Sequence, residues 1–275
     1  MTLLITGATG TVSGALLRAL PGTDDVRVLV RDQARAPSGV DVAVGDLHRP
    51  ETLTDAFKGV DTLWLLTAMG PDAPHAGSNA VWAARQAGVR HVVRMSAIGA
   101  AHDAPTRNGR LHAMSDVELA ASGLHWTVIR PGFFMQNLFG SVSGGTLYGP
   151  TGEGGMGLID VRDIAAFAAR VLADPRPHHG RTYTITGPES ISLREAAARI
   201  GVGYQPVAPE DAHQAMLQAG LPEWDAAVNV EYARAYASGW GDYATGDFAE
   251  VMGHHARAFE AFAADHADLL GLSPR

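Results

Sequence analysis

Short apolar segments alternate with longer amphipathic segments through the first half of the chain. The apolar segments are rich in β-branched residues and show little strict alternation, which is typical of strands buried on both faces. They lie at residues 3–6, 26–30, 40–44, 62–66, 91–95 and 126–129. Helical periodicity predicts α-helices between them, at residues 12–20, 51–57, 77–87 and 111–122. This order predicts an α/β protein with a doubly wound parallel sheet and helices on both of its faces.

The second half of the chain has a different pattern. Residues 140–157 are dense in glycine, which indicates a flexible loop or a lid. After them the pattern predicts a helix at 160–172, a strand at 181–186 and a helix at 192–200, with Ser192 as its N-cap and Glu195 at the capping-box position. Residues 209–270 are mostly helical, and their aromatic residues could cover a pocket or form core: Trp224, Tyr232, Tyr236 and Trp240. We expect a sheet domain over residues 1–157 and a smaller helical lobe over residues 158–275, packed on it as one structural unit.

The composition acts mainly by exclusion. The 275 residues are 46% hydrophobic and 18% charged, as in an ordinary globular protein, and the absence of cysteine excludes disulfides, thiolate nucleophiles and Cys-ligated metals. Histidine pairs occur at residues 178–179 and 254–255, but no acidic residue stands at ligand spacing from them, so we expect no metal site.

Charge and hydropathy limit the partners. The net charge of −8 argues against a nucleic-acid partner, because phosphate backbones are bound by clusters of Lys and Arg. No segment reaches the ~18 apolar residues that span a bilayer, and the N-terminal segment lacks the basic region of a signal peptide. We therefore expect a cytoplasmic protein with a small-molecule substrate and no membrane partner. The sequence leaves the oligomeric state open, a homo-oligomer included.

A glycine-rich turn joins the first strand to the first helix at residues 6–14, Thr-Gly-Ala-Thr-Gly-Thr-Val-Ser-Gly. Gly7 permits a tight turn, and Gly10 lets the backbone approach a pyrophosphate. The helix N-terminus near Thr11 supplies free N–H groups and the positive end of a dipole. Ser13 replaces the third glycine of the usual pattern and is small enough to fit. In this position the turn predicts a dinucleotide-binding site.

The end of the second strand bears on the choice of dinucleotide. Arg31 precedes Asp32 there, and Arg35 lies one helical turn further on. A guanidinium suits a 2′-phosphate and an acid suits a 2′-hydroxyl, so NADP(H) is favoured over NAD(H). Asp32 would take the ribose if Arg31 pointed outward. Asp46 and Leu47, after the third strand, are well placed for the adenine.

Several motifs occur in an order that is similar to the NmrA-like branch of the atypical short-chain dehydrogenases/reductases. They lie at residues 6–10, 30–32, 45–47, 92–99, 126–137 and 158–165. The resemblance covers nearly the whole chain and is strongest in residues 1–165. It implies a Rossmann fold and an NADP(H) cofactor. The family includes NADPH-dependent quinone reductases and also NADP-sensing regulators.

The resemblance also implies the contacts of the site. The implied cofactor contacts are Gly7, Thr9, Gly10, Thr11 and Val12 at the pyrophosphate, Arg31 at the 2′-phosphate, Asp46 and Leu47 at the adenine, Leu66, Thr67 and Ala68 at the ribose and nicotinamide, and Pro131, Gly132 and Phe133 over the nicotinamide. The implied substrate-facing residues are Phe133, Phe134 and Asn137. Aromatic rings beside a nicotinamide would stack on a flat quinone or enone.

The proton donor cannot be the Tyr-x-x-x-Lys pair that typical short-chain dehydrogenases use. The first tyrosine is Tyr148 and the only lysine is Lys58. On the corresponding helix His112 and Asp116 are four residues apart and share a face, and an imidazole oriented by a carboxylate can donate a proton near neutrality. Alternatively, His112 merely packs under the cofactor. Ser96, after the fifth strand, would orient a substrate carbonyl or close a turn.

Two functions stay open at this point. The first is an NADPH-dependent reductase that passes a hydride to a flat, electron-poor small molecule such as a quinone, enone, imine or carbonyl. Loss of the Tyr/Lys pair is compatible with it, because the cofactor carries the hydride chemistry. The second is an NADP(H)-sensing regulator that acts through a protein partner. The family's regulators usually carry additional interaction segments, and we see none in this sequence, so we expect the reductase.

Overall fold

The computed structural model describes residues 1–272. Its strands are β1 (Leu3–Ile5), β2 (Val26–Val30), β3 (Asp41–Val44), β4 (Thr62–Leu65), β5 (His91–Met95), β6 (His125–Pro131), β7 (Phe133–Phe134), β8 (Val142–Ser143), β9 (Thr146–Gly149), β10 (Met156–Ile159), β11 (Arg181–Ile185), β12 (Ser190–Ile191) and β13 (Gly203–Pro206). Its α-helices are α1 (Thr11–Ala19), α2 (Leu53–Ala56), α3 (Ala73–Ala87), α4 (Arg107–Ala121), α5 (Val161–Ala173), α6 (Leu193–Ile200), α7 (Pro209–Gln218), α8 (Glu223–Ala237), α9 (Asp247–Met252), α10 (Phe259–Asp265) and α11 (Ala267–Leu270). Each predicted strand of the main sheet and each predicted long helix is present, with ends that move by a few residues.

Seven parallel strands form the main sheet, in the order β3-β2-β1-β4-β5-β6-β11. From β1 the sheet extends on one side through β2 to β3 and on the other side through β4, β5 and β6 to β11, so the strand order reverses between β1 and β4. In such sheets the crevice outside the carboxyl ends of the strands, at the point of reversal, holds the ligand. The predicted fold class, a Rossmann-like doubly wound sheet with a helical C-terminal part, is confirmed.

The sheet is buried on both faces. On one face α1 and α5 pack over a core that includes Ile5, Val28 and Phe167. On the other face α2, α3 and α4 cover a second core around Leu63 and Val92. Burial on both sides explains why the strands are nearly continuous in apolar residues, as the sequence indicated.

The prediction of a flexible loop or lid at residues 140–157 is wrong. This segment contains β8, β9 and the start of β10. β9 pairs with β8 and β13 in one small sheet, and β10 pairs with β7 and β12 in another. Gly144 and Gly145 have positive φ and form the turn between β8 and β9. A Cβ at Gly154 would overlap the carbonyl oxygen of Tyr236. The glycines therefore serve tight turns and close backbone packing.

Residues on both sides of residue 157 build the main sheet. β11 pairs in parallel with β6, and α5 packs against α1. The capping box predicted at the start of α6 is confirmed, since Ser192 and Glu195 bond reciprocally. Among the helices of residues 1–272, none combines the length and the apolar character that crossing a membrane requires.

The later helices reach the carboxyl edge of the sheet through α8. Arg107, at the start of α4, forms an ion pair with Glu231 of α8 at 2.7 Å. Asn108 donates a hydrogen bond to the hydroxyl of Tyr232 at 3.1 Å. These contacts hold α8 above the end of β5 and the start of α4.

Candidate functional site

A cavity of about 510 Å³ opens at the carboxyl ends of β1, β2 and β3. We call it the arginine cavity, because Arg31 and Arg35 line it beside the glycine-rich turn. Gly7 has φ +66°, and a Cβ there would also come within 3.0 Å of the Leu66 side chain. The position therefore needs glycine for its backbone conformation.

The start of α1 faces this cavity with unused donors. Its N-cap is Gly10, no side chain caps the helix, and its first turn contains no acid. The first intrahelical bond runs from the Gly14 amide to the Gly10 carbonyl, so the amides of residues 11–13 have no intrahelical acceptor. Free amides at a helix N-terminus bind phosphate. The residues present therefore fit the pyrophosphate of a dinucleotide.

The far end of the arginine cavity contains two guanidinium groups. Arg31 and Arg35 are exposed, and neither forms an ion pair within residues 1–272. The Asp32 carboxylate accepts a hydrogen bond from the Ala34 amide at 3.0 Å and so caps the short turn that follows β2. His48 also lines this end and was missed by the sequence analysis. Its only sequence signal is its place directly after the Gly-Asp-Leu motif.

A second cavity of about 470 Å³ adjoins the first and shares Gly10 and Leu66 with it. We call it the aromatic cavity. The hydroxyl of Thr6 bonds to both the amide and the carbonyl of Leu66, each at 2.8 Å, which fixes this shared wall against the glycine-rich turn. Within residues 1–272 the cavity lining includes no Asp, Glu, Lys or Arg side chain. The ring of Phe133 meets that of Tyr236 edge to face, with centroids 5.7 Å apart.

The two cavities bring together nearly all the predicted site residues. The arginine cavity is lined by Gly7, Thr9, Gly10, Arg31, Asp46, Leu47, Leu66 and Ala68. The aromatic cavity is lined by Gly10, Thr11, Val12, Leu66, Thr67, Ser96, His112, Pro131, Gly132, Phe133, Phe134 and Asn137. Asp116 lines neither cavity.

The roof of the aromatic cavity comes from α8. Val228, Asn229, Tyr232 and Tyr236 line it. From the sequence these tyrosines could belong to a pocket or to the core, and no motif pointed to Val228 or Asn229. Trp240 is core, since a Cβ at Gly99 would overlap its ring. Nothing in the local pattern distinguishes a roof residue from a core residue, because both need apolar positions at helical spacing.

The prediction that Asp116 orients His112 is wrong. The buried carboxylate accepts hydrogen bonds from Arg94 Nε at 2.9 Å, from Ser96 Oγ at 2.8 Å and from Arg130 Nη2 at 2.8 Å. Guanidinium groups from two neighbouring strands are stronger partners for a carboxylate than an imidazole one helical turn away. Asp116 is thus fully engaged beneath the cavity.

The imidazole of His112 is instead bonded to a cation. Its Nδ1 lies 3.2 Å from Arg94 Nη2, and because a guanidinium can only donate, Nδ1 accepts and the ring proton resides on Nε2. Burial and then the charge of Arg94 lower the pKa of His112 to about 3. This low pKa and the contact with Arg94 favour a neutral ring over the imidazolium acid that the sequence suggested. The ring lines the aromatic cavity as a neutral N–H donor.

Comparison with known proteins identifies the chain's relatives. A family model described as NAD(P)H-binding matches residues 7–175. The NAD(P)H azoreductase of Xenophilus azovorans is 38% identical over 288 residues, which cover 98% of this chain and 99% of that protein. The chain belongs to this NAD(P)H-binding family. It is an NAD(P)H-dependent oxidoreductase, as predicted.

Solved structures of this NAD(P)H-binding family's fold extend the comparison. The NADPH-dependent quinone oxidoreductase QOR2 of Escherichia coli, solved with NADPH, has a TM-score of 0.85 and 25% identity, covering 96% of this chain and 99% of that chain. The Citrobacter sp. triphenylmethane reductase, solved with NADP(H), has a TM-score of 0.86 and 23% identity over the same shares. The negative transcriptional regulator Nmra shares the fold at a TM-score of 0.79 with 15% identity, covering 99% of this chain and 98% of that chain. The fold implied by the resemblance to the NmrA-like branch is confirmed, and so is NAD(P)H as the class of cofactor.

Proposed function

We propose that this chain uses NADPH to reduce flat, electron-poor small molecules of the quinone or azo type. The observation that carries the proposal is the aromatic cavity, which adjoins the glycine-rich turn and has rings but no charged side chain in its lining. A flat neutral molecule loses little by leaving water for such a cavity and gains contact with aromatic faces. Phe133 and Phe134 offer those faces, and Asn137 offers an amide.

The preference for NADPH over NADH rests on the arginine cavity. Arg31 and Arg35 present two guanidinium groups at the end of β2, where the adenosine ribose lies in proteins of this fold. The carboxylate of Asp32, which would suit a free 2′-hydroxyl, already caps the following turn. A 2′-phosphate would accept charge-assisted hydrogen bonds from both arginines.

The chain's residues assist the reduction without a protein acid. NADPH supplies a hydride when it is bound. The Nε2–H of His112 would donate a hydrogen bond to the oxygen or nitrogen that becomes negative, and solvent would supply the proton. Because the pKa of His112 is about 3, almost no imidazolium is present near neutral pH to act as a general acid. This favours quinones, whose reduced anion is a stabilised phenolate, over ketones and imines, whose reduced anions are strongly basic.

The relatives support the same acceptor classes. Azo compounds are named for the Xenophilus azovorans relative and quinones for the Escherichia coli structure. Both classes have a flat conjugated system and an uncharged reacting centre. The aromatic rings and the uncharged lining of the aromatic cavity suit both of these features.

The test is the steady-state rate of NADPH oxidation with a naphthoquinone and with an uncharged azo dye. We expect oxidation that depends on the acceptor, and an acceptor KM about 3- to 10-fold higher in Phe134→Ala, the cost of a lost aromatic contact. Phe139→Ala is the matched control, because this half-buried ring stacks on Phe262 outside the cavity. Equal KM values in both variants and the wild type would place the acceptor elsewhere.

A further inference from the structure

A buried ionic cluster lies directly beneath the aromatic cavity. It consists of Arg94 on β5, Asp116 on α4 and Arg130 on β6, and we call it the cation cluster. The side chains of Arg94 and Asp116 are only 2% and 8% exposed, and that of Arg130 is 24% exposed. Two guanidinium groups share one carboxylate, so the cluster carries a net positive charge.

One further carboxylate, that of Glu118, acts on Arg94 from outside the cluster, and its effect on the pKa of Arg94 is smaller than that of Asp116 or Arg130. Glu118, the other carboxylate of α4 near Arg94, accepts from Ser78 Oγ at 2.6 Å and makes no hydrogen bond to the cluster. Arg94 Nη1 is buried and has no acceptor within residues 1–272. The donors of the cluster therefore exceed its acceptors. Burying such an excess is costly unless an anion nearby compensates for it.

Two residues connect the cation cluster to the cavity. Ser96 donates its hydroxyl proton to Asp116 at 2.8 Å, so towards the cavity its oxygen is an acceptor. His112 accepts from Arg94 at Nδ1, and no protein group in residues 1–272 bonds to its Nε2. Of these two residues, only His112 therefore offers a hydrogen-bond donor to the cavity. That donor is its Nε2–H, which the bond from Arg94 to Nδ1 polarises.

We propose that the cation cluster stabilises the acceptor as an anion after hydride addition, and that Arg94 is the positioning residue that holds His112 as its Nε2–H donor. This inference rests on the proposed function. A hydride carries two electrons and one proton. A quinone that gains it becomes a hydroquinone monoanion, and one proton from water then gives the hydroquinone. An azo compound gains the hydride on one nitrogen, carries the negative charge on the other, and takes its second proton from water to become a hydrazine.

The geometry explains why a charge lies beneath an uncharged lining. A charged side chain in the cavity itself would need solvation and would disfavour an apolar acceptor. A charge placed behind neutral groups still acts on an anion in the cavity, because a protein interior screens it less than water does. The acceptor would therefore enter as a neutral molecule and be retained as an anion until water protonates it.

The test uses a nitrophenol as a product analogue, because its absorbance reports whether the bound molecule is the phenol or the phenolate. Binding to the NADP⁺-saturated protein is titrated across the pH range in which the free phenol ionises. We expect the phenolate to bind the wild type about tenfold or more tighter than the phenol, as a charge-assisted hydrogen bond would produce. All variants are compared at the same saturation, so the charge of the bound nucleotide is common to them.

The variants have opposite expected signs. Arg94→Met should abolish most of the preference, whereas Asp116→Asn, which keeps the shape and raises the net charge, should increase it. His112→Gln keeps an N–H donor and should retain part of the preference that His112→Phe loses. Arg90→Met is the matched control, since Arg90 precedes β5 and pairs with Asp61 at the surface. Asp116→Asn tests the charge even if Arg94→Met does not fold.

The inference is overturned if Arg94→Met and Asp116→Asn leave the preference for the phenolate unchanged. It is also overturned if the wild type binds neither the phenol nor the phenolate, or binds both equally well. If quinone is still reduced in that case, the proposed function stands without the cluster. If the preference for the phenolate changes with the charge of the cluster but no acceptor oxidises NADPH, the cluster binds anions and the proposed function is wrong.

Discussion

We expect the choice between NADPH and NADH to depend on the exposed guanidinium groups of Arg31 and Arg35. Arg31→Ala should weaken NADPH binding by about 1.5–3 kcal/mol, the contribution of a charge-assisted hydrogen bond, and leave NADH binding nearly unchanged. Calorimetry with both nucleotides measures the difference. Arg85→Ala on the exposed surface of α3 is the control and should affect neither. An equal loss for both nucleotides would contradict the assignment of Arg31 to the 2′-phosphate.

The neutral state of His112 gives a prediction that differs from that of a general acid. Because burial and Arg94 lower its pKa to about 3, its ring should show no titration between about pH 5 and 8 in nitrogen NMR, and its proton should reside on Nε2. Reduction of a quinone should fall about 10- to 100-fold in His112→Phe, which removes one hydrogen-bond donor, and less in His112→Gln. If the ring of His112 titrates near neutral pH and the rate of quinone reduction changes over the same pH range, His112 acts as an acid.

The sequence could place His112 and Ser96 at the cavity but could not assign the partner of Asp116. A spacing of four residues puts two side chains on one helix face, yet it says nothing about what packs against that face. Arg94 and Arg130 come from β5 and β6, and the competition was decided by tertiary packing between strands and α4. Local spacing is therefore a weak guide to the partner of a buried charge.

At the scale of elements, the N-terminus of α1 should control binding of both nucleotides. Gly10 has φ −89°, which valine can adopt, and its Cβ would lie 3.2 Å from the Gly7 carbonyl, a contact that a small shift relieves. Gly10→Val should therefore fold but lose NADPH and NADH binding, because its methyl groups would occupy the phosphate position. Equilibrium dialysis and circular dichroism measure the two effects.

A second glycine four residues along provides the control. A Cβ at Gly14 would make only ordinary contacts, the nearest at 3.7 Å from the Ala8 carbonyl oxygen. Gly14→Ala should keep nucleotide binding and stabilise α1 by up to about 1 kcal/mol, the difference in helix propensity. A Gly10→Val protein that folds and binds NADPH normally would refute the proposed phosphate site.

The main-sheet strands and the long helices of residues 1–139 were predictable because most of these strands are apolar on both faces and helical periodicity separates them. Residues 140–157 were not, because glycine permits both flexible chain and very close packing. Which of the two applies depends on neighbours such as Tyr236, which lies far along the chain. The same distance in sequence prevented the prediction of α8 as the roof of the aromatic cavity.

For the whole molecule, buried neutral imidazoles make stability depend on pH. Burial, followed by the nearby His125, His179 and His178, lowers the pKa of His91 to about 4 from its ordinary value of 6.5. The unfolded chain then binds more protons than the folded chain between these values, so the free energy of unfolding should fall as the pH drops from about 6.5 to 4. The expected loss at about pH 5 is roughly 1–2 kcal/mol for this imidazole.

Urea unfolding at several pH values measures this dependence. His91→Gln should be less sensitive to acid over the same range, whatever its stability at neutral pH. The exposed His102 is the site of the control, and His102→Gln should keep the wild-type slope. If His91→Gln and the wild type show the same slope, the acid sensitivity has another source.

For the molecule as a whole, we propose that the two cavities act together, one for the nucleotide and one for a flat acceptor. The most direct measurement is a single turnover without oxygen, in which the wild-type protein with NADPH deuterated at either face of its nicotinamide is mixed with a naphthoquinone. We predict that one NADPH is oxidised for each quinone reduced, with a primary isotope effect from deuterium on one face alone. NADPH that binds but remains reduced in the presence of the quinone would contradict this joint role of the two cavities.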